Sequence, residues 1–226
     1  MLAPDLPGHG NSATDISLSY SIGSQVVRIK EMLAALKVKR VHVIASSMGG
    51  AIALQLAARE PELVASLVLI GTVGVQAEAS WLQEHISQTG ANPMVHIRNK
   101  QDYLVMMCIG MARPSYMPGF ILSALARSYI SRLAIKEKIA AEIAGDLDQS
   151  DVLGTITCPA LIIWGSQDKV SYVSNARLLH GKLASSRSEL IDGTGHVPMV
   201  EAPQQWRPCA PRFSRNDYIK MTSYCS

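Results

Sequence analysis

Short apolar runs and longer stretches of helical periodicity alternate along most of this chain. His42-Val43-Ile44-Ala45, Val64 to Ile70, Ala160-Leu161-Ile162-Ile163-Trp164 and Ser188 to Ile191 are the short runs, and each predicts a strand. Gly49 to Ala58, directly after the first of them, is a strong helix former. Upstream, Val26, Val27, Met32, Leu33 and Leu36 predict the apolar stripe of an earlier helix. That helix is expected to end before Lys37-Val38-Lys39-Arg40, a basic cluster suited to a solvated, dipole-favoured helix end. Asn175 to Leu183 predicts another helix. Strands alternating with helices imply an α/β domain, with a mostly parallel sheet covered on both faces.

Residues 74–150 break this rhythm. They read as several helices without a clear strand, interrupted at Pro93, Pro114 and Pro118. The expected organisation is a core formed by 1–73 and 151–203, a helical cap (lid) at 74–150 and an atypical tail at 204–226. Met106, Met107, Met111 and Met117, with Phe120 and Ile121, suit either an ordinary helix core or a deformable apolar lining under a lid.

Composition narrows the function classes. Apolar residues make up 48% of the 226 and charged ones 17%, which is incompatible with global disorder. The net charge of +3 is too small to expect a nucleic-acid partner. It also lies entirely in the tail, where Arg207, Arg212, Arg215 and Lys220 oppose Asp217, four minus one. Met1-Leu2-Ala3-Pro4-Asp5 has neither a basic nor a long apolar leader region, and the tightest apolar run, Leu104 to Met111, is far short of a bilayer span. A cytoplasmic location is expected, with weak peripheral membrane contact through the cap left open, although no basic amphipathic helix supports it. Cys108, Cys158, Cys209 and Cys225 lack C-x-x-C spacing and are expected as free thiols, with a Cys209–Cys225 bridge left open.

The chemistry concentrates at three loops. Ala45-Ser46-Ser47-Met48-Gly49-Gly50 joins a predicted strand to a predicted helix. A nucleophilic serine on so sharp a turn needs small residues two positions either side, and Ala45 and Gly49 meet that need around Ser47. Ser46 lacks the glycine two positions on. The Met48 backbone N–H, at the helix start, is the expected oxyanion donor. Serine needs a base and an orienting acid. Asp168, in Gly165-Ser166-Gln167-Asp168, and His196, in Asp192-Gly193-Thr194-Gly195-His196, each follow a predicted strand, where open α/β sheets carry their sites. Asp192 and Glu201 are nearer His196 in sequence, but the acid is expected on a different loop. His9 is expected to shape a tight loop and His42 to be structural. His85, His96 and His180 form no metal-ligand spacing. No metal and no cofactor is expected.

These motifs together resemble the α/β-hydrolase family. Asp5-Leu6-Pro7-Gly8-His9-Gly10-Asn11-Ser12 looks like that family's D-x-P-G-x-G-x-S loop, and Ser47-Met48-Gly49-Gly50 looks like its nucleophile elbow. Ile162 to Asp168 and Gly195-His196 resemble its acid and histidine loops, so the likeness covers about residues 2–203. The combination is most similar to monoacylglycerol lipases and their bacterial esterase relatives. That resemblance implies a cofactor-free serine carboxylesterase or lipase acting on a small ester or lipid through an acyl-enzyme on Ser47. Asp168 and His196 would complete the triad.

Two features depart from the family pattern. The chain begins at what resembles the fourth strand, so the early strands and their His-Gly-type oxyanion loop are expected to be missing, leaving one sheet edge open. From Trp206 onward, Arg207-Pro208-Cys209-Ala210-Pro211-Arg212 does not resemble a closing helix, which should begin near Glu201-Ala202-Pro203, and the tail reads as an altered or truncated reading frame. Two alternatives follow: a carbon–carbon bond hydrolase with the same triad, and a catalytically impaired fragment. The Met-rich cap and the scattered Arg98, Arg113, Arg127 and Arg132 favour an acyl chain over a dianionic substrate.

Overall fold

The computed structural model describes residues 1–206 and 219–223. Its sheet is wholly parallel among these residues. The strands are β1 (Val41–Ser46), β2 (Val64–Ile70), β3 (Ala160–Gly165), β4 (Ser186–Ile191) and β5 (Ile219–Ser223), in the order β4-β3-β2-β1-β5. All four predicted runs are strands, and β2 has the predicted limits. Parallel neighbours need crossovers, and helices supply them. The chain runs through α1 (Ile22–Ala35), α2 (Met48–Arg59) and α7 (Ser174–Lys182), with α2 against β1 and β2 and α7 against β3 and β4.

The main core fills the space between these helices and one sheet face. Val43, Ala45, Leu67, Leu69, Ile162 and Trp164 point into it from the strands. The opposite face carries Val68, Ile70, Leu161, Ile163 and Ile191, packed with Ile44, Met199 and Ala202. Alternation along each strand thus divides one apolar run between two cores.

The stripe expected on α1 needs correction. Ile22, Val26, Ile29 and Leu33 are buried together with Gln25, whereas Val27 and Leu36 are exposed. Steps of four, three and four keep the first set on one face, while Val27 stands about 100° round the helix from Val26. Leu36 is the C-cap, outside the helical repeat.

The sheet edge beside β1, expected to be open, carries β5, with Val41 opposite Ile219 and Ala45 opposite Ser223. The tail therefore supplies a strand. Arg207, Arg212, Arg215, Asp217, Cys209, Cys225 and the two tail prolines lie outside the described residues. Near Glu201, where a closing helix is expected to begin, the chain forms a single turn, α8 (Pro198–Glu201), and then α9, described over Pro203–Trp206. Pro203 separates them, because a proline disfavours helical backbone at the residue before it, here Ala202.

Between β2 and β3 the chain forms α3 (Trp81–Thr89), α4 (Lys100–Gly110), α5 (Gly119–Ile130) and α6 (Leu133–Ala144), then a short 3-10 turn at Ser150–Thr155. Ser80 and Gln83 form a capping box at α3, and Asn99 caps α4. Pro93 lies between α3 and α4, and Pro114 and Pro118 between α4 and α5. Met107 is buried, Met106, Met111 and Met117 are half-buried, and Phe120 and Ile121 are exposed. Tyr116 at 91% and Phe120 at 75% exposure stand with Ile121 and Leu125 as an apolar outer surface. Among the described residues, no helix is long and apolar enough to cross a membrane.

Carboxylates on and after α6 fasten this segment to the start of α1. Asp146 accepts from the Ile22 and Gly23 N–H groups at 3.1 and 3.2 Å, satisfying donors that a helix start leaves without partners. Glu142 accepts from the Tyr20 N–H at 2.6 Å and the Ser19 hydroxyl at 3.0 Å, and it pairs with Lys138. The Arg132 guanidinium donates to the Gly10 carbonyl.

Candidate active site

Ser47 forms the corner between β1 and α2, with φ 53° and ψ −122°. A non-glycine residue at such angles costs on the order of 1–3 kcal/mol and persists only where its surroundings hold it. Here the Ser47 N–H donates to the Ile70 carbonyl at 3.0 Å, tying the corner to β2. Its own carbonyl accepts from Gly50 N–H at 2.9 Å and Val73 N–H at 3.3 Å. Ala45 and Gly49 are buried, and one residue further on a Cβ at Gly50 would overlap the Thr72 side chain. Ser46 is the buried last residue of β1.

The three predicted side chains meet. His196 Nε2 lies 2.8 Å from Ser47 Oγ, and its Nδ1 lies 2.8 Å from Asp168 Oδ2. A carboxylate accepts only, so Nδ1 carries the proton and Nε2 faces the serine hydroxyl as an acceptor. Asp168 and His196 are each 4% exposed, and Ser47 is half-buried. The second Asp168 oxygen accepts from Val170 N–H at 2.8 Å and Ser171 N–H at 3.0 Å, so the loop's own backbone aims Oδ2 at the imidazole. Met48 is the first residue of α2. Its N–H has no intrahelical acceptor and stands at the positive end of the helix dipole.

A layer of polar groups missed by the sequence reading holds the acid loop. The Ser171 hydroxyl donates to the Thr72 carbonyl at 3.1 Å, and Asn175 Nδ2 donates to Ser171 Oγ at 3.0 Å. Asn175 Oδ1 accepts from Ala77 N–H at 2.7 Å, and Trp164 Nε1 donates to the Ser171 carbonyl at 2.7 Å. The available signal was two polar residues four apart, Ser171 and Asn175, at the start of a predicted helix.

The histidine loop is held equally closely. Gly71, at φ 51°, lets the chain pass the imidazole, since a Cβ there would stand 2.9 Å from the His196 carbonyl and 3.1 Å from Nδ1. The His196 N–H donates to the Gly110 carbonyl at 2.9 Å, at the end of α4. The two rival acids have other partners. Asp192 accepts from the Ser166 hydroxyl at 2.9 Å, and Glu201 accepts from Gly195 N–H at 2.6 Å.

The remaining histidines sit elsewhere. His9 Nδ1 lies 3.3 Å from the Pro7 carbonyl, in the turn between Gly8 and Gly10. Burial first, and the Lys136 ammonium second, lower its pKa below the usual histidine value. His42 Nδ1 meets Ser66 Oγ at 2.7 Å, His85 stacks on Trp81, His96 accepts from Asn92 N–H, and His180 meets Ser186 Oγ. Among the described residues, no three His, Cys, Asp or Glu side chains gather as a metal site. Cys108 and Cys158 are free thiols, and burial raises the pKa of Cys158.

Comparison with known proteins gives the same architecture. The family model described as the alpha/beta hydrolase fold matches residues 1–203. Lipase 3 of Moraxella sp. (strain TA144) is 29% identical over 205 residues, which is 89% of this chain and 65% of that protein. Monoacylglycerol lipase ABHD6 of Bos taurus is 29% identical over 217 residues, 91% of this chain and 64% of that protein. The chain thus spans somewhat under two thirds of the length of these relatives. A solved structure described as a membrane phospholipase A, a bacterial virulence factor, superposes with a TM-score of 0.85 at 32% identity, covering 91% of this chain and 67% of that one. With a family match over almost the whole described chain and a parallel sheet that delivers a strained serine, an aspartate and a histidine after β1, β3 and β4, this chain belongs to the α/β-hydrolase family.

Proposed function

We propose that this protein is a serine carboxylesterase or lipase that hydrolyses carboxylic esters, monoacylglycerol-like lipids among them, through an acyl-enzyme on Ser47. The observation that carries the reading is the unbroken chain from Ser47 Oγ through His196 to Asp168, with both links at 2.8 Å. Ser47 Oγ attacks the ester carbonyl while its proton passes to His196 Nε2. The carbonyl oxygen becomes an oxyanion facing the Met48 N–H. Asp168 stabilises the imidazolium, which then protonates the departing alcohol. Water, deprotonated by His196, attacks the acyl-Ser47 carbon and releases the acid with Ser47 restored. The reaction so written draws on no metal or cofactor.

The names of the relatives, a lipase, a monoacylglycerol lipase and a membrane phospholipase A, support an ester or lipid substrate. In this reading 1–73 and 151–203 are the catalytic core and 74–150 is the cap. The exposed Tyr116, Phe120, Ile121 and Leu125 support weak peripheral contact of that cap with a lipid surface.

The test is hydrolysis of p-nitrophenyl esters over a series of acyl lengths, with Ser47→Ala measured beside the wild type. Loss of about 10⁴-fold or more in kcat is expected for the variant, as for removal of a serine nucleophile elsewhere. Folded wild-type protein that hydrolyses no ester and takes no fluorophosphonate label would overturn the reading.

A further inference from the structure

Glu201 is a rival acid in the sequence, and the structure gives it a different task. Its two carboxylate oxygens go to backbone N–H groups of two separate segments, one nearby and one distant in sequence. Oε1 accepts from Gly195 N–H at 2.6 Å, and Oε2 accepts from Arg113 N–H at 2.9 Å, 88 residues away. Gly195 immediately precedes His196. Arg113 lies just beyond α4, whose last residue, Gly110, accepts the His196 N–H at 2.9 Å.

The two strands of chain are therefore in direct contact. A Cβ on Gly195 would stand 2.8 Å from the Ala112 nitrogen and 2.9 Å from the Gly110 carbonyl oxygen, so only glycine lets them approach. Charge-assisted bonds from a carboxylate to N–H groups are about twice as strong as neutral ones, and a bidentate carboxylate fixes direction as well as distance. Held at Gly195 and at Arg113 by one side chain, 195–196 and 110–113 form one unit.

From this juxtaposition we infer that Glu201 is a positioning residue, which clamps the histidine loop to the 110–113 segment and so sets His196 against Ser47. The inference rests on the esterase reading above for its kinetic part only. Glu201 touches no reacting atom. It acts through Gly195, and its effect falls on proton transfer and not on substrate capture.

The experiment is Glu201→Gln, which keeps the size of the side chain but turns one acceptor into an NH2 that cannot accept from an N–H. Hydrogen exchange is followed by mass spectrometry in peptides covering 193–197 and 111–115, with peptides from β1 and α2 as internal references. Esterase kinetics are measured on a short p-nitrophenyl ester. The expected result is faster exchange in the first two peptides alone. It is accompanied by a kcat lower by roughly 10- to 100-fold, the loss that displacement of a reacting group by about 1 Å brings, with KM within about twofold of wild type. Unchanged exchange at both segments would overturn the clamp, and faster exchange with unchanged kcat would overturn its positioning role. If Glu201→Gln loosens β1 and α2 as well, the same two readouts are taken on Arg113→Pro, which removes one donor and leaves the carboxylate in place. A wild type without esterase activity sinks the functional reading, while the exchange comparison still decides the clamp.

Discussion

A single methyl group at position 165 would overlap the carbonyl oxygens of Thr194 and Gly195, where β3 passes beneath the histidine loop. Backbone atoms cannot swing aside as side chains do. Gly165→Ala is therefore expected to lower the stability of the protein by about 1–3 kcal/mol. It should also lower kcat, because the displaced loop carries His196. Urea denaturation together with ester hydrolysis checks both, and an unaltered denaturation midpoint would contradict the packing argument. Ser47, Asp168 and His196 were legible in the sequence because each chemistry-bearing residue sits in a short local frame: small residues around Ser47, and a strand followed by a glycine-containing loop before the other two. Glu201, Ser171 and Asn175 were not legible, because each bonds a backbone group of a segment far away in sequence, and such contacts leave no spacing to read.

The helices differ in what ties them down. α1 begins with Ser21 as its own cap, yet its first two N–H groups are satisfied by Asp146, from beyond α6. Glu142, one turn earlier, is held at a pKa of about 2 by the Lys138 ammonium first and the Tyr20 N–H next, well below the usual carboxylate value. Because its folded pKa is depressed, its contribution to stability is fully present above the unfolded value near 4.5 and is lost as pH falls from there toward about 2. Glu142→Gln should therefore be destabilised relative to wild type at pH 7, with the gap narrowing between pH 4.5 and pH 2. Denaturation midpoints across that range check it, and a gap independent of pH would refute it. The strands were read well because their apolar runs are short and bounded. The stripe of α1 was misassigned because Val26 and Val27 are equally apolar, and only the packing against α2 decides which of them faces inward.

The order β4-β3-β2-β1-β5 puts the serine after β1, one strand in from β5, with the aspartate and histidine after β3 and β4 on the far side of β2. The parallel pairing followed from alternating strands and helices; the strand order did not. Nor did the pairing of β5 with β1, since Ile219 to Ser223 is a short segment whose apolar and polar residues give no clear strand pattern in the sequence. Ser47 and His196 stand 149 residues apart, and the bond between them has a further consequence for how the chain acquires its structure. Helices such as α2 close through local contacts, whereas a parallel sheet waits for long loops to close, which slows its assembly. On dilution from denaturant, far-UV circular dichroism should recover first and reactivity of Ser47 toward a fluorophosphonate last. Simultaneous recovery of the two signals would refute that order. A nascent chain would then carry its serine inert through most of folding, and ester cleavage would begin only when the histidine loop docks.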